Sequence, residues 1–295
     1  MLSIDVGFGN VKVYDGEEVT AFPSVYMEAS EDYIPTTDPD DQLLELDGVK
    51  YHVGMTALNR GGEAPFDRTD MLRHKIFMLT AICAMTDTES FSDSVAVGLP
   101  ISDYKAMKDA LTKLKGKYEV SYNGKKCSVD IKKISVYAQS EAVYKLIAKD
   151  DKDIKRKVIG IVDIGQKTVD FAYFKRGTYV PENSGSLEKG VINAYRDIVK
   201  ALENVGYNDI ESYEAKLYID KVPEEADKAF ERMAKTIKNN LRINHWNLEL
   251  MDSLYIVGGG TSFIAPHFKD TAYKPLDEMT AVFANAYGYY AGEKD

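Results

Sequence analysis

The sequence of 295 residues carries 37 Lys and Arg against 47 Asp and Glu, a formal net charge of −10, and 44% of its residues are apolar. This length predicts about two domains, and the composition is typical of a globular chain rather than a disordered or fibrous one. The acidic balance argues against direct binding of nucleic acid or of an anionic membrane, because both require clustered basic side chains.

Two cysteines, Cys83 and Cys127, are too few for a disulfide framework or a four-thiolate zinc site. We interpret them as reduced thiols of a cytoplasmic protein. The opening residues lack the basic and apolar regions of a signal peptide, and no run of about 18 apolar residues predicts a membrane span. The expected location is therefore the cytoplasm, without membrane contact.

The first half of the chain mixes strands, hairpin turns and helices. Asp15-Gly16, Asp47-Gly48 and Asn123-Gly124 are strong hairpin signals. A loop is expected over 59–70 because of its Gly, Pro and charged residues. Helices are predicted over 71–85 and 103–114, and strands over 2–6, 11–14, 19–26, 43–46, 49–53, 93–101 and, around the third turn, 117–136.

The second half of the chain also mixes predicted helices and strands. A helix over 140–148 is followed by a charged run, 149–157, that we interpret as a solvated connection. Short apolar runs predict buried strands over 158–163, 169–174 and 253–257. Helices are expected from Gly190 to about 205, over 224–243 and over 276–291. Strands and helices alternate throughout, which predicts the α/β class.

One turn occurs twice. Asp5-Val6-Gly7 and Asp163-Ile164-Gly165 each follow an apolar strand, and Val11 and Val169 match at the same offset of 158 residues. An isolated Asp-x-Gly is usually only a tight turn. Two copies, about half the chain apart, predict two similar half-domains.

The chemistry of this turn suits phosphate. Glycine lets the backbone approach a ligand closely, and successive N–H groups of a turn form an anion site. A carboxylate repels bare phosphate but tolerates it when Mg²⁺ lies between them, usually through water. The glycine triplet Gly258-Gly259-Gly260, after a predicted strand, also allows a ligand to lie against bare backbone.

These three motifs, in this order, resemble the actin–chaperone–sugar-kinase ATPase superfamily. Segments 10–12, 168–170 and 283–288 are further similar to plasmid-segregating actins of the ParM type and their archaeal relatives. The resemblance implies a two-domain actin-like fold of duplicated ribonuclease H-like domains. ATP or ADP and Mg²⁺ would bind in the cleft between domain I (1–138 and 277–295) and domain II (139–276).

The resemblance also implies a role for individual residues. Asp5 and Asp163 would hold Mg²⁺ through water, with Asp163 near the attacking water, and Lys12 would reach the phosphates. The triplet 258–260 would lie beside the nucleoside. Phe8 can offer phosphate only its backbone N–H, and Lys167 either adds a positive charge near the γ-phosphate or points to solvent. The other implied phosphate-loop positions are Gly7, Gly9, Asn10, Gly165, Gln166, Thr168 and Asp170.

Members of this superfamily place a Gln or Glu at the start of the interdomain helix, directed at the attacking water. The preceding strand is expected to end near Ala138, so Gln139 fits best. Glu141 is the second candidate and lies on a different face of the helix. A glutamine side chain would orient water rather than take its proton at neutral pH.

The function that the resemblance implies is an ATPase whose ATP-bound subunits join head to tail into filaments that hydrolysis weakens. The filament would act in plasmid or DNA segregation through a DNA-binding adaptor, or in a cytoskeletal role. Two alternatives stay open. A small-molecule (sugar-type) kinase would need a carboxylate base that the sequence does not single out, and a non-hydrolysing actin-like scaffold is favoured by Phe8, Gln166 and Lys167.

Overall fold

The computed structural model describes residues 1–30, 41–63, 69–86 and 89–294. The chain forms two compact units: unit 1 comprises Met1–Ala138 and Asn285–Asp295, and unit 2 comprises Gln139–Ala284. Strands and helices are mixed in both units, which confirms the predicted α/β class. Among the helices described, none is long and apolar enough to cross a membrane.

Unit 1 is built on a nine-stranded sheet in the order β3-β2-β1-β7-β9-β8-β5-β6-β4. β1 lies inside this sheet and is buried on both faces, whereas β2 buries only alternate residues, Val11 and Val13, as the two-residue period of a strand requires. The strands are β1 Leu2–Val6, β2 Asn10–Tyr14, β3 Val19–Pro23, β4 Tyr26–Glu28, β5 Leu43–Leu46, β6 Val49–Val53, β7 Ser90–Leu99, β8 Gly116–Tyr122 and β9 Lys125–Ala138.

The helices of unit 1 are α1 Gly54–Asn59, α2 Met71–Met85 and α3 Ile101–Thr112. The α2 helix packs against β1 and β2, and its residues Ile76, Phe77 and Leu79 belong to the same buried cluster as Ile4 of β1. Asp70 caps this helix by accepting the Leu72 N–H over 2.9 Å. The packing fixes the first hairpin of the chain against α2.

Unit 2 contains a smaller sheet, ordered β12-β11-β10-β14, with β13 paired to β11. The long helix predicted over 224–243 is confirmed as α6 and buries one apolar face, which includes Ala226, Phe230, Ile237 and Leu241. The elements are α4 Glu141–Asp150, β10 Val158–Ile164, β11 Val169–Lys175, β12 Thr178–Tyr179, β13 Gly185–Leu187, α5 Ile192–Asn204, α6 Pro223–Ile243, β14 Ser253–Val257 and α7 Thr261–Ile264; α8, Glu278–Lys294, closes the chain.

Several predicted boundaries are wrong for local reasons. The single strand expected over 19–26 is interrupted at Ser24, which donates its N–H to Gly9 and its hydroxyl to Gly7 instead of continuing the ladder. The helix expected from 103 begins at Ile101, directly after Pro100. The short helix α1 was not predicted.

The charged run 149–157 is not a plain solvated link, because α4 extends to Asp150 and a 3₁₀ turn buries Ile154. Of the predicted loop over 59–70, residues 64–68 lie outside the described part.

The sequence repeat is also a structural repeat. In unit 1, Asp5 pairs with Lys12 across the hairpin, and in unit 2, Asp163 pairs with Asp170. Asp5 and Asp163 are 158 residues apart in the sequence, and so are Lys12 and Asp170. The first strand of each hairpin also has a parallel neighbour, β7 for β1 and β14 for β10. Each unit therefore presents an Asp-x-Gly turn at the end of a central strand.

Candidate functional site

The first turn holds a buried carboxylate beside a cation. Asp5, at the end of β1, is 3% exposed. Its Oδ2 lies 3.8 Å from Nζ of Lys12 on the opposite strand. The Tyr289 hydroxyl, from α8, donates to Asp5 Oδ1 over 3.4 Å. The carboxylate is thus fixed on two sides, with a positive charge close to it.

The backbone of the first turn is anchored from behind. A Cβ on Gly7 would lie 2.8 Å from the carbonyl oxygen of Asn10, so the turn requires glycine at this position. The Gly7 carbonyl accepts hydrogen bonds from Ser24 Oγ (2.7 Å) and from Nη2 of Arg73 (2.9 Å). The Gly9 carbonyl accepts the Ser24 N–H over 3.0 Å. Several donors therefore set the conformation of a turn only three residues long.

The second turn pairs two carboxylates instead. Asp163 is 7% exposed and lies opposite Asp170, which is 3% exposed and accepts the Thr168 hydroxyl over 3.2 Å. The Gly165 N–H donates to the Thr168 carbonyl over 2.9 Å and closes the turn. At the position equivalent to Lys12 of the first turn, the second turn therefore carries an acidic residue, Asp170.

Helix α5 supplies the anchors of the second turn. The Gly165 carbonyl accepts the Val191 N–H and the Gln166 carbonyl accepts the Ile192 N–H, each over 3.0 Å. Gly190 precedes them, and a Cβ there would overlap the backbone of Gln166 and Lys167. The sequence placed Gly190 only as a residue before a helix, whereas it allows that helix to approach the turn.

The glycine triplet lies directly against the second turn. Gly258 has φ +91°, and a Cβ on it would overlap the Asp163 carboxylate. The Gly260 N–H donates to the Ile164 carbonyl over 3.0 Å. A side chain on Gly259 would lie in open space, so no contact within the described chain requires glycine at this position. The triplet is thus joined to Asp163 by contact as well as by strand pairing.

The two candidates for the water-orienting residue differ in burial. β9 ends at Ala138, as expected, and Gln139 follows it at 7% exposure, whereas Glu141 is exposed on the first turn of α4. Ser140 between them has φ +63°, and the Glu141 N–H donates to the Gln139 carbonyl over 2.7 Å. This tight three-residue turn fixes the backbone at Gln139. Its strained conformation costs about 1–3 kcal/mol.

The structure brings most predicted residues into contact within their own unit. Asp5 meets Lys12, Thr168 meets Asp170, and Gly258 lies against Asp163, whereas Asn10 is exposed at the start of β2. Phe8, Gln166 and Lys167 are half-buried.

Three residues that contact Asp5 or Gly7 at the first turn were not predicted from the sequence: Tyr289, Ser24 and Arg73. A usable signal existed for one of them, because Arg73 is a charged residue on the otherwise apolar face of a predicted helix that also carries Ile76 and Phe77.

Comparisons with known proteins identify the family of the chain. A family model described as the N-terminal domain of actin-like proteins matches residues 3–141, and one described as the C-terminal part of an archaeal, MreB-like actin homologue matches residues 161–270. The chain belongs to the actin-like proteins. No curated protein sequence matches it significantly.

Solved structures show the same fold along the whole chain of this actin-like protein. An archaeal actin homologue, Ta0583, solved in complex with ADP, is 20% identical with a TM-score of 0.83, covering 100% of this chain and 99% of the homologue. A 15-stranded ParM filament from Clostridium botulinum gives 19% identity and a TM-score of 0.81, covering 99% and 98%. ParM of Bacillus thuringiensis with AMPPNP gives 17% and 0.73, covering 99% and 97%. The expected actin-like fold is thereby confirmed.

The donor set of this actin-like protein fits a nucleotide with its metal. Within the described residues, no three His, Cys, Asp or Glu side chains are grouped to hold a metal by themselves. Mg²⁺ bound to a nucleotide usually takes one or two carboxylates, directly or through water, and its other ligands from phosphates. Asp5 in unit 1 and Asp163 in unit 2 are each a single buried carboxylate at a glycine turn, which is the type of donor that such a metal takes.

Proposed function

We propose that this actin-like protein binds and hydrolyses Mg-ATP through its two Asp-x-Gly turns. The observation that carries the proposal is the repeated hairpin: Asp5 and Asp163 are both buried, occupy equivalent register positions and follow central strands. The structures of relatives with ADP and with AMPPNP support nucleotide binding by this family.

Different residues have different roles in the proposed reaction. Turn N–H groups and Lys12 bind phosphate oxygens, since both offer positive charge to an anion. Asp5 and Asp163 hold the hydration shell of Mg²⁺, which, when bound, offsets phosphate charge. Gln139 orients the attacking water, and Gly258–Gly260 receives the nucleoside. Hydrolysis by positioning and electrostatics alone is expected to be slow in the isolated protein.

We extend the proposal to assembly. Subunits with ATP bound join head to tail into filaments, and hydrolysis weakens the contact, because the γ-phosphate sets the conformation of the subunit. The filament structure of the Clostridium botulinum relative supports this part. A role in segregating plasmid or other DNA would need a DNA-binding adaptor, since the net charge of −10 disfavours direct contact.

The test combines phosphate release with light scattering. The purified chain with Mg-ATP should scatter more light above a critical concentration, then lose the signal as ADP accumulates, and EDTA should prevent both changes. Phosphate release without assembly at tens of micromolar, an order-of-magnitude range for weak contacts, would overturn the filament part. ATP consumption that requires an added sugar or small acid, with ADP formed but no phosphate released, would favour the kinase alternative.

A further inference from the structure

A buried arginine lies directly behind the first turn. Arg73, on the first turn of α2, is 2% exposed, and its Nη2 donates to the Gly7 carbonyl over 2.9 Å. Its guanidinium carbon lies 5.4 Å from the centre of the Phe8 ring and 5.5 Å from that of Phe77. An arginine stays protonated in proteins, so a fixed positive charge lies behind the turn.

The surroundings of Arg73 hold it in place. Phe77 follows it by one helical turn and lies on the same face of α2. Asp70, at the start of the helix, accepts the Tyr26 hydroxyl over 3.0 Å. Burial, and then this hydrogen bond, raise the pKa of Tyr26 to about 12, so the hydroxyl remains a donor at neutral pH. The start of α2 is therefore a rigid support for the guanidinium.

The hydrogen bonds to Gly7 determine where the next N–H points. A carbonyl oxygen has two lone pairs, and here Ser24 and Arg73 supply two donors. In a trans peptide the C=O and the following N–H point in opposite directions. Because the Gly7 carbonyl is held toward α2, the Phe8 N–H is held away from it. Phe8 thus contributes its ring to the arginine, while its N–H points away from α2.

The second turn anchors the same atom differently. The equivalent carbonyl, that of Gly165, accepts the Val191 N–H over 3.0 Å. That donor is a neutral backbone group at the start of α5, whereas the first turn uses a charged side chain. Unrelated donors on the two equivalent carbonyls indicate that this peptide must be held, and among these hydrogen bonds only the one from Arg73 in unit 1 comes from a charged group.

We propose that Arg73 is a positioning residue for phosphate binding, which holds the Gly7–Phe8 peptide with its N–H toward the phosphates and adds an attractive charge behind it. The proposal rests on the proposed binding of nucleotide. It concerns a residue that touches the turn and not the ligand, so its effect must appear with phosphate-bearing ligands and not with a bare nucleoside.

The test uses Arg73→Met, which removes the charge at similar length, and Arg73→Lys, which keeps the charge without the planar fork. Arg232→Met is the control, because Arg232 is an exposed arginine of unit 2 that pairs with Asp197. ATP and adenosine compete against a fluorescent ADP analogue, and the carbonyl ¹³C shift of Gly7 is recorded by NMR without ligand. Circular dichroism checks folding.

Arg73→Met should weaken ATP binding about tenfold, equivalent to ~1.4 kcal/mol, and Arg73→Lys about threefold, with adenosine unchanged. The Gly7 ¹³C shift should move in both variants and stay constant in Arg232→Met. If Arg73→Met does not fold, Arg73→Lys carries the same comparison. Equal loss for ATP and adenosine, unchanged ATP affinity, or an unmoved Gly7 shift would overturn the inference. A wild-type chain that binds no ATP would instead overturn the proposed function.

Discussion

The two Asp-x-Gly turns share one backbone design and carry opposite chemistry. In both, a buried Asp ends a central strand and a turn carbonyl is anchored from behind. The first turn adds two cations, Lys12 and Arg73, while the second adds another carboxylate, Asp170, and one half-buried cation, Lys167. A duplicated framework has therefore kept its geometry and diverged in charge.

The difference in charge indicates that the two turns have different roles. A turn supplied with positive charge attracts phosphate, because opposite charges in a buried setting interact strongly. A turn supplied with two carboxylates repels bare phosphate and attracts a hydrated cation or an ordered water. We therefore expect the first turn to dominate nucleotide affinity and the second to dominate the rate of hydrolysis.

Asp163→Asn should reduce ATP hydrolysis by about a thousandfold if Asp163 has its proposed role, because the change removes the charge that would hold the metal-bound water while it keeps the shape of the side chain. ATP affinity should change far less. Phosphate release under saturating ATP measures the rate, and exposed Asp153→Asn serves as the control. A rate close to wild type would refute the role of the second turn.

Gln139→Ala should slow hydrolysis by about a hundredfold and leave ATP affinity nearly unchanged, since in the proposed function this side chain orients water and does not bind phosphate. Glu141→Ala should leave the rate nearly unchanged because that side chain is exposed. Single-turnover phosphate release separates the two. If Glu141→Ala slows the reaction and Gln139→Ala does not, the assignment at the start of α4 is wrong.

Gly258→Ala should lower the free energy of unfolding of unit 2 by about 2–4 kcal/mol, because alanine is strained at φ +91° and its Cβ meets the Asp163 carboxylate. Gly259→Ala is the matched control, with open space at the same triplet. Denaturant unfolding followed by Trp246, the single tryptophan of the chain, measures unit 2, since it is buried there. Equal stability of the two variants would contradict the described contact.

Lys12→Met should weaken ATP binding about tenfold, whereas Asp170→Asn, at the equivalent position of the second turn, should not weaken it. Removing a cation lowers phosphate attraction, and removing a carboxylate does not. Equilibrium titration with a fluorescent ATP analogue measures both. Similar losses in the two variants would show that the turns do not differ in the way their charges indicate.

Much of the fold could be predicted from sequence because local signals were strong. Strand–glycine–strand patterns located both hairpins, and the helical period of apolar residues gave α2 and α6 with nearly correct ends. The break at Ser24 could not be predicted, since it depends on carbonyls of Gly7 and Gly9 that approach it only in the folded chain.

The same limit applies to the candidate site. Residues within each turn, such as Asp5 and Gly165, were visible as motifs, but their supports come from distant segments. Arg73 and Tyr289 contact the first turn across long stretches of chain, and Gly190 approaches the second. A repeat reveals what is common to two turns, whereas the groups that differ behind them require the tertiary structure.

Amide hydrogen exchange with and without Mg-AMPPNP tests whether the two turns bind the same nucleotide. If both turns bind one nucleotide, addition of Mg-AMPPNP should slow exchange in peptides that cover residues 7–10 and in peptides that cover 165–168, with the same dependence on nucleotide concentration. Peptides from exposed α6 positions provide the internal control. Protection of only one turn, or of neither at saturating nucleotide, would contradict the account.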